Sequence, residues 1–438
     1  MKKRRIILLG AAGRDYHNFL VYYKDNPYYE VVAFTQAQIP DIEKRSFPKE
    51  LAGRLYKKNI PFYPEEKLPE LIRQLNIDEV VLSYSDLSHE EVMHKASITL
   101  AAGASFRLLG PKDTMLKSKI PLISVCATRT GAGKGTVARY ILKILNDVGK
   151  HPVALRHPMP YARNLLTEVA QRFSSYKDLN RYQSTVEERE EYQPYIDWGY
   201  TVFAGIDYKK IIKMAEQEGD VIVYESGNND LSFFRSDLYI VVADPLRPDG
   251  LSSYPGEANV RLADIVVINK VNATSSNAVN SMERQIRRLN GKAQIIKAKS
   301  VITTDRPELI KDKRVLVIED SPTVTHGHLG YSAGYIAAKK YKANAIVDPR
   351  KFAVGFFKNV YKEYPHIKNV LPSTGYNQQE LRDLERTIEK TDCDTVVLGT
   401  PCDLTKVITI NKPIARVSYT LEEVGKPLLR ELILKKFA

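Results

Sequence analysis

Cysteine is scarce in this 438-residue chain: only Cys126, Cys393 and Cys402 occur. They fall in or beside expected strands without metal-ligand spacing. Buried small residues in a reduced, cytoplasmic protein are therefore the expectation. Long apolar runs are also missing, so no segment reads as a membrane-crossing helix. The opening MKKRRIILLGAAGRD has too short an apolar core for a secretory signal, and Arg14-Asp15 follows at once; a first β-strand is the better reading. There is no low-complexity tract and no obvious internal repeat. Helix-turn-helix, zinc and RNA-recognition signatures are absent, as is any dense basic run with interleaved aromatics. Those absences remove nucleic acid and membrane as expected partners, despite 65 Lys+Arg against 52 Asp+Glu and a net charge of +13. An anionic, phosphorylated small molecule suits that balance better. A homodimer stays open.

What the chain does have is a phosphate loop. The apolar run Ile120 to Cys126 leads into Ala127-Thr128-Arg129-Thr130-Gly131-Ala132-Gly133-Lys134-Gly135-Thr136, and a helical pattern (Val137, Ile141, Leu142, Leu145) follows. Glycines let backbone N–H groups curl around a phosphate, the helix N-terminus adds partial positive charge, and Lys134 reaches the outer phosphates. Two departures from G-x-x-x-x-G-K-[ST] stand out: Thr128 replaces the first glycine, and Gly135 replaces the hydroxyl residue that would ligate Mg²⁺. Thr136 sits one residue later. The competing account is a glycine-rich turn that binds nothing. Dethiobiotin synthetase and CTP synthetase have similar loops, and the latter also reads Gly-Lys-Gly.

The length calls for two or three domains, and 43% hydrophobic with 27% charged residues is ordinary for globular folding. The expected fold is α/β throughout. A central P-loop NTPase domain with a parallel sheet (119–300) is flanked by a Rossmann-like N-terminal domain (1–118) and a C-terminal α/β domain (301–438). In the first, Gly10 and Gly13 form only part of a dinucleotide fingerprint, so a purely structural layer and a ligand site stay open alternatives. The polar stretch Gln171–Gln193 reads as an insertion or lid. Leu421–Lys436 reads as a C-terminal helix.

Four further segments carry candidate chemistry. Val221–Tyr224 ends in Glu225-Ser226-Gly227-Asn228-Asn229-Asp230, where a strand-end acid can hold a metal-bound water and Gly227 admits the γ-phosphate. Asn269-Lys270-Val271-Asn272 sits where nucleotide domains read the base. Asn272 lacks the carboxylate of N-K-x-D, which weakens guanine specificity and leaves adenine open to Asn269. Arg156 and His157 follow a strand whose carboxyl end faces the ligand crevice. Thr323 to Gly330 offers hydroxyls, glycines and a helix N-terminus opening near Tyr331, a second anion nest to which Asp348-Pro349-Arg350 could add a guanidinium.

On GAAGRDYHNF, YSDLSHEEVMHKAS, LLGPKDTMLKS, RHPMPY, ESGNND, DPLRP, YPGEANVRLAD, NKV and EDSPTVTHG, the chain resembles, end to end, a predicted P-loop GTPase family related to cyclic 2,3-diphosphoglycerate synthetase. The resemblance implies a ligase that closes a phosphoanhydride in 2,3-diphosphoglycerate with Mg²⁺ and ATP, GTP being the alternative nucleotide. It implies catalysis by Lys134, Glu225 and His157, with Thr136 and Glu225 on the metal. Nucleotide contacts would come from Arg129 to Thr136 and from Asn269, Lys270 and Asn272. The substrate would be held by Arg156, His157, Asn228, Asn229, Thr325, His326 and Gly327. Two other readings remain: a regulatory or chaperone-like NTPase acting on a protein partner, and a ligase for another anionic substrate.

Overall fold

The computed structural model describes residues 2–11, 13–36, 45–157, 164–325, 329–375 and 377–437. The fold is mixed α/β with parallel sheets, and the chain divides into two compact units. The first unit comprises residues 1–172, 203–297 and 424–438; the second comprises 173–202 and 298–423.

The first unit holds two large parallel sheets and two two-stranded ones. Strands β1 (Arg4–Leu9), β2 (Tyr29–Gln36), β3 (Ile60–Pro64), β4 (Glu79–Leu82) and β5 (Ser105–Leu108) lie in the order β3-β2-β1-β4-β5, all parallel. The second sheet consists of β6 (Leu122–Ala127), β7 (Pro152–Arg156), β8 (Val221–Glu225), β9 (Leu238–Ala243), β10 (Ile265–Ile268) and β11 (Gln294–Thr304). Its order is β7-β8-β6-β9-β10-β11, again all parallel. β6 to β10 are buried on both faces, as the continuous apolar runs require. Helix α1 (Lys134–Asp147) leaves the carboxyl end of β6 and buries Val137, Ile141, Leu142 and Leu145.

In the first unit the two large sheets are braced by buried polar contacts. Arg14 donates to Leu231 O at 2.8 Å and to Thr114 Oγ1 at 3.2 Å, while its guanidinium lies 5.2 Å from the centre of the Phe233 ring. The His17 ring stacks on Phe233 at 3.9 Å, and burial drives its pKa well below the usual imidazole value.

The second unit is built on β12 (Arg314–Glu319), β13 (Ala345–Ile346), β14 (Leu371–Pro372), β15 (Thr395–Leu398) and β16 (Ile414–Val424). β16, β15, β12 and β13 run in that order and parallel, and β14 also pairs with β12. The stretch 171–193, expected as an insertion or lid, carries two helices and lies mostly within the second unit. It leaves the first unit after Arg172 and supplies the second with helix α2 (Val186–Asp197). Thr185 caps α2 through a capping box with Glu188, and Val186 joins the apolar core around Leu316, Ile318 and Leu398.

One element differs outright from expectation. Residues 421–424 end strand β16 rather than opening a helix. The terminal helix begins only at Leu429, after Gly425 adopts a φ of 77° and Pro427 removes a backbone donor. That helix packs against α1, and Arg430 lies 3.4 Å from Asp147.

Candidate functional site

The loop between β6 and α1 has the backbone form that phosphate binding needs. Gly131 and Gly133 take φ of 82° and 104°, and Gly133 caps α1 with no side-chain oxygen on the helix N-terminus. A Cβ at Gly133 would stand 2.4 Å from Asn269 Nδ2, so that close approach also demands glycine. Asn269 donates to Ala132 O at 3.0 Å; Lys270 Nζ donates to Gly131 O at 2.7 Å and pairs with Asp244 at 2.6 Å. The two residues expected to read the base thus clamp the loop's carbonyls. Asn272 is exposed in the short turn beyond.

Lys134 is buried, and its ammonium donates to Asn228 O. Burial lowers its pKa, with Glu225 pulling the other way. Glu225 ends β8 directly beside this helix terminus: a Cβ on Gly135 would lie 3.3 Å from its Oε1. The absent side chain at position 135 therefore leaves the carboxylate an open line to the loop. Arg156, paired in register with Glu225, places Nη1 3.4 Å from Glu225 Oε1 and donates to Ser226 O at 3.0 Å. Next to it, His157 Nε2 lies 2.9 Å from Asp230 Oδ2. Burial raises the Asp230 pKa, but His157 and Arg14 outweigh it and hold the carboxyl below its usual range.

Thr136 is buried on the first turn of α1. Thr128 Oγ1, Thr130 Oγ1, Ser226 Oγ and Asn269 Oδ1 are buried around the loop and take no hydrogen bond among the described residues. Such orphaned atoms are rare in a folded interior, and a bound polar group is what relieves them.

Some expected contacts resolve differently. Asn229 is fully committed internally: its amide donates to Thr128 O at 2.8 Å and Ser253 Oγ at 3.1 Å, and its Oδ1 accepts from Asp86 N at 2.8 Å. It braces the loop rather than facing a substrate. Asp86 itself was not foreseen. It arrives from beyond β4 with φ of 68°, sits 3.3 Å from Arg129 Nε and 3.4 Å from Thr130 N, and so pins the phosphate loop from the N-terminal sheet. Its only signal was an aspartate just beyond a strand's carboxyl end. Asp249 flanks Arg129 on the other side at 3.4 Å.

Thr325 belongs to the second unit, where its hydroxyl donates to Ser321 O at 2.7 Å; His326 and Gly327 lie outside the described residues. The anion nest expected near Tyr331 is already filled. Helix α3 (Ala333–Lys340) receives the carboxylate of Glu319, which accepts from Ser332 N at 2.9 Å, Gly334 N at 3.0 Å and Tyr335 N at 2.7 Å. Arg350 is likewise engaged, forked onto Asp348 at 2.8 Å.

The second unit also carries a group of buried acids that the sequence did not single out. Glu187 and Glu190 stand one turn apart on α2. Glu187 accepts from Thr374 Oγ1 at 2.6 Å, and Glu190 Oε1 accepts from both Ser373 and Thr400 hydroxyls. Burial, then Asp320 and Glu187, push the Glu190 carboxyl well above its ordinary value.

No helix among the described residues is long and apolar enough to cross a membrane. No family model matches the chain. The arginine synthetase ArcE of Thermococcus kodakarensis is 51% identical over 433 residues, 99% of this chain and 96% of that protein. The cyclic 2,3-diphosphoglycerate synthetase of Thermococcus sibiricus is 20% identical over 309 residues, 64% of this chain and 68% of that protein. Among solved structures, the "apo" form of LpxK from Aquifex aeolicus in complex with ATP aligns at 14% identity and a TM-score of 0.41, covering 80% of this chain and 96% of that one.

Proposed function

This chain belongs to the family of the arginine synthetase ArcE, a family of ligases rather than of GTPases, and from that premise we propose that it couples hydrolysis of ATP to the formation of a guanidino amino acid. The observation that carries the reading is the buried Lys134 at an uncapped helix N-terminus, with Glu225 facing it across Gly135. That pairing suits a triphosphate: Lys134 and the loop amides take the β- and γ-phosphates, and the added negative charge offsets the burial cost of the ammonium. Glu225 and Thr136, an acid and a hydroxyl on either side of Gly135, supply the oxygen donors that Mg²⁺ takes. When bound, Mg²⁺ neutralises charge on the transferring phosphoryl group.

In such a ligase the γ-phosphoryl passes to an oxygen on the carbon to be aminated and leaves ADP. An amine nitrogen then attacks that carbon, the C–O bond breaks, phosphate departs and the surplus proton goes to solvent. In this reading Arg156 and His157 hold the phosphoryl oxygens during transfer. The Asp230 carboxylate, 2.9 Å from its Nε2, orients His157.

Arginine takes precedence here over 2,3-diphosphoglycerate because the diphosphoglycerate relative matches at 20% over 64% of the chain, against 51% over 99%. The full-length protein, given ADP, labelled phosphate and Mg²⁺, should move label into ATP only when arginine is present. Label exchange or ADP release driven instead by 2,3-diphosphoglycerate would overturn the substrate. GDP outperforming ADP would overturn the nucleotide.

A further inference from the structure

The second unit places polar groups where open α/β sheets bind ligands, at the carboxyl ends of parallel strands. Asp320 follows β12, Ser373 and Thr374 follow β14, and Thr400 follows β15. Against these strand ends the excursion 173–202 lays helix α2, which contributes Glu187 and Glu190. Glu190 is only 4% exposed. Its Oε1 is shared by two hydroxyls, while Oε2 is buried and takes no hydrogen bond among the described residues.

A buried carboxylate oxygen left in this way is costly unless a donor reaches it. Both Asp320 and Glu187 act on Glu190 in the same direction, each disfavouring a further negative charge. A site with this charge repels a diphosphate and attracts a cation. Among biological cations, a guanidinium presents several N–H donors in one plane, which matches carboxylate and hydroxyl oxygens converging from a helix and three strand ends.

We infer that the cluster formed by Glu187 and Glu190 of α2 with Ser373, Thr374 and Thr400 is a guanidinium-binding site, and that it holds the side-chain end of arginine. The inference rests on the arginine reading for its ligand, but not on the nucleotide site for its geometry. It also gives the excursion a purpose: residues 173–202 add Glu187 and Glu190 to the Asp320 already at the strand ends.

The test is calorimetric titration of the full-length protein with L-arginine, with Nα-acetyl-L-arginine and with L-norleucine, run separately from titration with Mg·ATP. Arginine and its acetylated form should bind, and norleucine should not. Glu190→Gln, which keeps shape and loses charge, should weaken both guanidino ligands at least tenfold while leaving Mg·ATP binding within a factor of two. Glu187→Gln should act in the same direction, and melting curves check that each variant folds. Unchanged arginine affinity in both variants overturns the site, as does failure of the folded wild-type protein to bind either guanidino ligand. Retention of arginine but loss of its acetylated form assigns the acids to the α-ammonium and overturns the guanidinium assignment. If arginine binds through Glu190 but Mg·ATP does not bind at all, the ligase reading falls and this site stands.

Discussion

Each unit of this protein contains a strand that ends in a glutamate beside a helix N-terminus, and the two are used in opposite ways. In the first unit Glu225 stands off: it faces Gly135 from β8, has Arg156 at 3.4 Å, and leaves the terminus of α1 to the loop glycines and Lys134. In the second unit Glu319 goes in, and its carboxylate accepts three backbone N–H groups at the start of α3. The difference lies in what else can satisfy the helix end. A terminus backed by a buried lysine is a place for an external anion, whereas a terminus filled by the chain's own carboxylate is finished structure. Strand, small-residue loop and helix are therefore insufficient to define a phosphate site.

The largest effect that would break the comparison is at Lys134. Lys134→Ala should cut ATP turnover by roughly 10³-fold or more while arginine binding persists, as read by ADP release and calorimetry. Near-normal turnover would make the two helix ends equivalent. Glu225→Gln should lower kcat by about 10²-fold, read as ADP release at saturating nucleotide. The mirror change, Glu319→Ala, should leave nucleotide affinity alone but cost roughly 2–3 kcal/mol of stability by removing the acceptor of three N–H groups, one buried and two half-buried, measurable by denaturant unfolding.

Glu319 also gives a pH signature. Burial pushes its carboxyl from 4.5 up to about 7, against the pull of the three N–H donors and with Asp320 adding to the rise. Between those values the folded chain holds a proton that the unfolded chain has released. The contribution is thus complete below pH 4.5 and is lost as pH rises through about 7. Glu319→Gln should flatten that slope. The smallest effect is expected from Asn269→Ala, which frees one loop carbonyl and should raise the KM for ATP about fivefold, from loss of roughly 1 kcal/mol of hydrogen bonding. A change of adenine-to-guanine preference in that variant would instead return Asn269 to the base.

The strands around the first site were legible because buried parallel strands read as continuous apolar runs, and the glycines of 131–135 fixed the turn into α1. Asp86 and Asp244 escaped because an acid after a strand is common, and only tertiary pairing to Arg129 and Lys270 distinguishes them. Residues 421–424 misled because side chains four apart share a face in a strand as they do over one helical turn. The filled terminus of α3 was unreadable for another reason: Glu319 lies thirteen residues before Ser332, and no local pattern links them. Helix α2 was obscured by its composition, since the polar stretch 171–193 reads as an insertion or lid, yet Glu187, Glu188 and Glu190 are all buried.

The first unit is finished only by residues 424–438, after the whole of the second has been specified, and the second needs residues 173–202 from within the first. Synthesis from the N-terminus thus supplies the last segment of the first unit only after every residue of the second has been made. Recombination between relatives would meet the same obstacle, since no single crossover exchanges one half intact.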